Sequence, residues 1–348
     1  MAALIDINNL TIGYTNSKQH KVVAQSLNAH LNEGEMTCLL GANGKGKSTL
    51  MKTICGFLKS MHGDILLNGK STALMSEKEL AKAIAVVLTD KISIPNATVF
   101  ELVAYGRSPF TGLMGRLSDR DKTIVKTAIE QCGISHKIHS PLSALSDGER
   151  QKATIAKALA QDTDIIILDE PTAFLDLPAR VEIMQLLRQL ASAGKSILMS
   201  THDLDLALQM ADKLWLLNRD GVTSGSPEDL LLNNAFQSMF RGKGIEFDNK
   251  TGLFTVRYHH NQTIAVKGHG FEYVLLRRAL MRKGIKPVKA NHTDSVYISI
   301  NKNEASVYKL MVDDICSFEN SSVEATTKMI LEVIQTYVNT TSNLMPYD

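Results

Sequence analysis

Five short apolar runs punctuate the first two-thirds of the chain: MTCLL at 36–40, IAVVL at 84–88, IIILD at 165–169, SILMS at 196–200 and KLWLL at 213–217. Each ends in polar or Gly-rich residues, and amphipathic helical segments separate them. Continuous apolar runs of this length suit strands buried on both faces, so the pattern predicts an α/β sheet covered by helices. It also puts several polar strand ends on one rim, where open parallel sheets bind ligands. The opening differs: IDINNLTIGY and the segment around VVAQSLNAHL alternate with period two and predict a small antiparallel layer. Residues 98–160 are expected to be mainly helical, interrupted by the Gly and Pro cluster GRSPFTGLMG.

A change of composition follows at RGKGIEFDNKTG, 241–252, where Gly242, Gly244, Asn249 and Gly252 mark a linker and a hairpin turn. Beyond it, TIAVKGHG reads as a strand with a tight turn into the helix FEYVLLRRALMRKGI. SVYISI reads as another strand and VEATTKMILEVIQTYV as a final helix. The boundaries expected are 1–244 for a first domain and 245–348 for a small C-terminal α+β domain, in keeping with a length of 348 residues.

The formal net charge of +2 and pI near 8.2 give no basic field of the kind nucleic-acid binding shows, so no nucleic-acid partner is expected. Cys38, Cys55, Cys132 and Cys316 lie far apart without a CxxC pair, which fits reduced thiols in the core. MAALIDINNL lacks the basic start and apolar run of a secretory signal, and no stretch approaches the roughly 20 apolar residues that span a bilayer. The chain is therefore expected to be soluble by itself, with any membrane part supplied by another subunit.

GANGKGKST at 41–49 fits G-x-x-x-x-G-K-[ST], with Gly41, Gly46, Lys47 and Ser48 at the fixed positions. The loop, including Asn43, Gly44 and Thr49, curls so that backbone N–H groups face phosphate oxygens. Lys47 reaches the β- and γ-phosphates and the Ser48 hydroxyl takes a Mg²⁺ position. The strand MTCLL before it and the helical TLMKTICGF after it supply the expected context. IIILDEPT adds an acidic pair after a strand: Asp169 suits Mg²⁺ binding and Glu170 suits polarising a water. The site is thus read as one for a nucleoside triphosphate with Mg²⁺.

A second motif lies at a helix start. In ALSDGERQKATIAKALA, 144–160, Ser146 and Glu149 fit the S-x-x-E capping box, and the free N–H groups of such a start favour an anion. With this stretch the chain resembles the ATP-binding subunits of ABC transporters. LSDGERQK at 145–152 is similar to the family's LSGGQ signature and stands upstream of IIILDEPT. AFLD at 173–176 is similar to the D-loop, with Asp176 as its acid, and His202 in STHD matches the switch histidine. Tyr14 in LTIGY matches the aromatic that stacks on adenine.

The resemblance covers roughly residues 4–240 and implies the P-loop NTPase fold of an ABC ATPase: a RecA-like core, an antiparallel β layer and a helical subdomain. It implies ATP hydrolysis in a homodimer, each ATP held between the phosphate loop of one copy and Ser146 and Gly148 of the other, with Glu170, His202 and Lys47 as catalytic residues. ELVAYGRSPF at 101–110 resembles ATPases serving importers of iron–siderophore complexes, haem and cobalamin. That implies transmembrane permease subunits, indirectly a substrate-binding protein, and a peripheral place on the cytoplasmic side of the membrane. Soluble ABC ATPases of iron–sulfur cluster assembly, translation or DNA repair form the rival class, and a silenced nucleotide-binding regulator a third. The long coiled-coil arms of repair members and the second cassette of translation members are not seen.

Three residues depart from the family pattern. LTDK places Asp90 where the Q-loop carries Gln, and an Asp there is still able to bind Mg²⁺. Lys45 adds a cation to the phosphate loop, and Asp147 adds an acid to the signature. A carboxylate about 4 Å from a phosphate charge costs roughly 4 kcal/mol at an effective dielectric near 20. Asp147 is therefore expected to turn away from the phosphate, toward a Lys or Arg of the partner.

Overall fold

The computed structural model describes residues 3–16, 19–89, 94–112, 115–240, 244–248, 253–256, 259–291, 294–301 and 307–342. The chain divides into two units, Met1–Arg241 and Gly242–Asp348.

In the first unit, β1 (Ala3–Asn16) and β2 (Gln19–Asn32) precede β3 (Met36–Leu40) and α1 (Lys47–Ile54). Next come β4 (His62–Leu67), β5 (Lys70–Ser71), α2 (Glu77–Ala83) and β6 (Ile84–Val87), then the helices α3 (Val99–Ala104), α4 (Asp119–Gln131) and α5 (Asp147–Ala160). The unit closes with β7 (Ile165–Asp169), α6 (Leu177–Ser192), β8 (Ser196–Ser200), α7 (Leu204–Met210), β9 (Lys213–Asn218), β10 (Gly221–Gly225), α8 (Pro227–Leu232) and α9 (Ala235–Phe240).

The five apolar runs become neighbours in one sheet of order β10-β9-β3-β8-β7-β6, in which every pair from β9 to β6 is parallel. All residues of β3, β7 and β8 are buried, as strands covered on both faces require. The opening segments form the antiparallel sheet β2-β1-β4-β5. A single apolar core joins the two sheets through Leu50 and Ile54 of α1, Ile7 and Ile12 of β1, and Ile167 of β7.

The helical part is held to α5 by the GRSPF stretch. A β-carbon at Gly106 would collide with the Lys157 carbonyl oxygen, so only glycine lets this turn approach α5 so closely. Beside it Arg107 is buried. Its Nε donates to Asp121 Oδ1 at 2.9 Å on α4, its Nη1 to the Ala160 carbonyl at 3.0 Å on α5, and its guanidinium lies 4.2 Å from the Phe110 ring centroid. One side chain thus ties two helices together, with its charge paired rather than stranded.

In the second unit β11 (Ile245–Asp248) and β12 (Leu253–Val256) form a hairpin. The rest is β13 (Gln262–Lys267), α10 (Phe271–Arg282), β14 (Ile285–Lys289), β15 (Val296–Ile300), β16 (Tyr308–Val312), β17 (Ile315–Asn320) and α11 (Val323–Ser342). The sheet order is β14-β13-β15-β16-β17, with β13 parallel to both neighbours and the later pairs antiparallel. Ile264, Leu276, Leu280, Ile298, Leu310 and Ile330 form a core of its own.

Strands β14, β16 and β17 lie beyond the sequence expectation for this part. One thiol is also a correction: Cys38, Cys55 and Cys132 are buried, and burial pushes each up to about 12, but Cys316 is exposed because it sits on the edge strand β17. Among the described residues no helix is long and apolar enough to cross a membrane.

The close approach at Gly106 can be tested by thermal unfolding. Gly106→Ala is expected to cost about 1–3 kcal/mol through overpacking against α5, seen as a lower Tm. An unchanged Tm would show that the turn has room to spare.

Candidate active site

The parallel register decides which residues meet. Ser200 at the end of β8 is level with Leu39 of β3 on one side and Asp169 of β7 on the other. The chain leaving β3 is the phosphate loop, the chain leaving β7 carries Glu170, and the chain leaving β8 carries His202. Three loops distant in sequence therefore open from one edge.

The loop from Gly41 wraps back to the start of α1. Gly46 has φ 104°, and a β-carbon there would lie 2.6 Å from Val23 Cγ1, so both conformation and space demand glycine. Lys47, the first residue of α1, is buried; its Nζ donates to the Gly41 carbonyl at 2.9 Å and stands 3.4 Å from His202 Nε2. Burial holds its pKa below the usual lysine value, while the nearby Glu170 and Asp169 charges pull in the opposite direction.

Asp169 is buried, and its Oδ1 accepts the Ser200 hydroxyl at 2.6 Å. The same Ser200 oxygen accepts the Glu170 N–H at 2.9 Å, so one hydroxyl fixes both members of the acidic pair. Thr89 Oγ1 donates to the Asp169 carbonyl at 2.9 Å from the other side. Glu170 has φ 52°, a left-handed conformation costing a non-glycine residue on the order of 1 kcal/mol. Its Oε1 lies 2.7 Å from His202 Nε2. That nitrogen has one position for a proton. At 2.7 Å against 3.4 Å, the carboxylate rather than the ammonium is its hydrogen-bond partner, so Nε2–H donates to Glu170.

Tyr14 is 44% exposed, and its hydroxyl lies 3.1 Å from Thr49 Oγ1 in the first turn of α1. One end of the ring is therefore fixed while its body stays open. Tyr14, the loop from Asn43 to Thr49 and Glu170 line one open cleft of about 680 Å³. Lys21, Val23 and Arg219 line it too, although no motif marks them. Lys21 is opposite Tyr14 in the β1–β2 register, and Arg219 arrives because its carbonyl accepts the Gln25 N–H at 3.0 Å from β2. Lys45 is exposed on the rim of the loop.

The exposed Ser48 hydroxyl and the Asp169 carboxylate line one small cavity and could together hold a divalent cation. Ser200 takes Oδ1, which leaves the second Asp169 oxygen as the donor of the pair. A hydroxyl, a carboxylate oxygen and phosphate oxygens fit Mg²⁺, which keeps several waters and needs few protein ligands. Asp90 lies outside the described residues.

Ser146, Gly148 and Asp176 do not line the cleft of their own chain. Ser146 caps α5: its Oγ accepts the Glu149 N–H at 3.2 Å, and its own N–H donates to Glu149 Oε2 at 2.9 Å. Asp176 caps α6, accepting the Ala179 N–H at 3.1 Å. Asp147 is exposed in the first turn of α5 and borders a cavity shared with Glu170, Ala173 and Phe174.

A buried lysine in a glycine loop, an acidic pair after a parallel strand and a histidine on the acid define the class: a P-loop nucleoside triphosphatase of the cassette type. Residues 24–173 match the family model described as ABC transporter. An uncharacterized ABC transporter ATP-binding protein of Methanocaldococcus jannaschii is 40% identical over 256 residues, covering 73% of this chain and 87% of that one. The iron(3+)-hydroxamate import ATP-binding protein FhuC of Bacillus subtilis is 38% identical over 239 residues, with coverage of 68% and 87%. Among solved structures, a dimeric ATP-binding cassette in a post-hydrolysis state bound to ADP and Pi is 25% identical with a TM-score of 0.56, covering 64% of this chain and 98% of that one. The chain belongs to the ATP-binding proteins of the ABC transporter family.

Ser200 was missed because its importance lies in the register, not in SILMS itself. Ser200→Ala is expected to lower kcat for ATP hydrolysis on the order of tenfold, as loss of an outer-shell partner of a ligand does. Nucleotide affinity, set by the phosphate loop, should change much less. Steady-state rates together with an ATP-binding titration would check this, and an unchanged kcat would remove Ser200 from the account.

Proposed function

We propose that the chain is the ATP-hydrolysing subunit of an importer, and that two copies close head to tail on two ATP molecules. The observation that carries the reading is the Lys47–His202–Glu170 cluster at the edge of the cleft, complete for hydrolysis but without Ser146 and Gly148 in the same cleft. A second copy supplies them. Tyr14 stacks on adenine, the loop from Gly41 to Thr49 holds the phosphates, and Ser146 and Gly148 of the partner subunit cover the γ-phosphate. Asp176 ends the D-loop beside that contact.

Ser48 and Asp169 would hold Mg²⁺, with Asp90 as the further ligand the sequence offers, and the ion would neutralise charge on the β- and γ-phosphates. Glu170 takes the proton of the attacking water, and His202, held by Glu170, steadies the γ-phosphate. Lys47, buried and charged, stabilises the leaving phosphate oxygens. Hydrolysis removes the contact between the γ-phosphate and the partner's Ser146, and the dimer opens. ATP acts as the bond between the copies.

The relatives favour transport over cluster assembly, translation or repair. FhuC is named for iron(3+)-hydroxamate import, and FpuC of Bacillus anthracis, 38% identical, for petrobactin import. An iron–siderophore complex is accordingly the substrate class, in preference to haem and cobalamin. Transmembrane permease subunits, and through them a substrate-binding protein, are the partners, and the chain works peripherally on the cytoplasmic side. The exposed Tyr105 and Phe110 offer apolar surface on ELVAYGRSPF for the permease. The cassette spans 1–244; residues 245–348 form an accessory domain with a regulatory or dimer-contact role.

A deletion strain tests the reading. The wild-type chain should restore uptake of a ferric siderophore, and Glu170→Gln should not, although it still binds ATP and holds the dimer closed. Restoration by Glu170→Gln, or of haem or cobalamin uptake alone, would contradict the mechanism or the substrate class respectively.

A further inference from the structure

Phe174 combines a strained backbone with an exposed ring, and nothing in its own copy calls for either. It has φ 65°, in the left-handed region where a β-carbon crowds the backbone. Among the described residues, the other non-glycine positions with positive φ are Asn, Asp, Ser26 and Glu170, so Phe174 is the single apolar member of the set. Its side chain is 79% exposed, and Leu177, three residues on, is 64% exposed. An Asn or a Gly would make this turn with less strain and leave no apolar surface in water.

The turn that presents the ring is held on both sides. Before it, the Ala173 N–H donates to the Glu170 carbonyl at 3.0 Å. After it, Leu175 is buried, Arg180 Nε donates to the Leu175 carbonyl at 2.7 Å, and Asp176 accepts the Ala179 N–H at 3.1 Å. The ring is therefore fixed in an outward position rather than left on a loose loop. The same turn adjoins the signature: Phe174 and Asp147 border one cavity, and a β-carbon at Gly148 would lie 3.3 Å from Ala179 Cβ on α6.

We infer that Phe174, with Leu177, is an apolar anchor for a second copy of this chain: when two copies close on ATP, each Phe174 ring is buried against its partner. This rests on the reading that the signature of one copy meets the nucleotide of the other, because the ring stands next to that signature. Strain in the separate copy and burial in the pair then belong together, as strained residues at functional positions do. An aromatic side chain on a fixed turn loses little freedom when it docks. Two-fold closure uses the anchor twice. The γ-phosphate contacts make closure depend on ATP, and an apolar ring beside them excludes water and so strengthens them.

ATP-driven dimerisation of the full-length chain, followed by analytical ultracentrifugation in a Glu170→Gln background, tests the proposal. Phe174→Asn keeps a residue suited to the left-handed turn and removes the ring; it should weaken the dimer about a hundredfold, tenfold for each of the two anchors. Phe174→Tyr should keep the dimer. The Tm of the nucleotide-free chain should stay the same or rise in Phe174→Asn, since strain is relieved and no packing within the copy is lost. Leu232→Asn, at a residue of α8 that is also 79% exposed, should leave the dimer as it is. A lower Tm in Phe174→Asn would place the packing of the ring in its own copy, and equal weakening by Leu232→Asn would mark general association through apolar surface; either result overturns the proposal. Loss of the membrane subunits from the purified importer at an unweakened dimer would assign the ring to them instead. Absence of any ATP-driven dimer in the Glu170→Gln chain itself would refute the shared site, whereas a normal dimer there beside an unweakened Phe174→Asn dimer would refute only the anchor.

Discussion

The register of three buried parallel strands carries this structure. Leu39, Ser200 and Asp169 lie at one level across β3, β8 and β7, and the phosphate loop, Glu170 and His202 begin one or two residues beyond that level. Because the strands are apolar and covered on both faces, a register slip would bury polar side chains and expose apolar ones, so the alignment is strongly held. The Ser200 hydroxyl converts the alignment into chemistry. It ties the Asp169 carboxylate and the Glu170 N–H to one point, which leaves one Asp169 oxygen for a ligand and turns the Glu170 side chain toward His202.

A second constraint belongs to the helical part. The signature is the start of α5, and α5 is positioned by the close approach at Gly106 and the buried Arg107. The GRSPF stretch, whose family likeness suggested a permease contact, also has a plain packing duty. The two roles are compatible because Arg107 points inward while Tyr105 and Phe110 stay exposed.

How far the sequence could be read depended on whether a feature was local. The phosphate loop, the acidic pair and the capping box are each contained in a few consecutive residues, and the five apolar runs became the five parallel strands with ends within a residue of those expected. Ser200, Lys21 and Arg219 were out of reach because their meaning is set by neighbours across a sheet. In the C-terminal unit, β14 reads IKPVK, whose Lys residues and Pro287 hide an edge strand. The β16–β17 hairpin turns at Asp313 and Asp314, both with positive φ, in a two-residue loop that lacks the glycine by which such turns are usually read. The exposed Cys316 follows from the same unseen hairpin.

The central claim is that each active site is shared between two copies, and a mixing experiment tests it most directly. Lys47→Ala spoils the phosphate loop and keeps the signature; Ser146→Ala does the reverse. Each variant alone should be nearly inactive, while a mixture should regain ATP hydrolysis, because a mixed dimer contains one site built from an intact loop and an intact signature. If the mixture shows only the average of the two separate rates, the site is complete within one chain and the account is wrong.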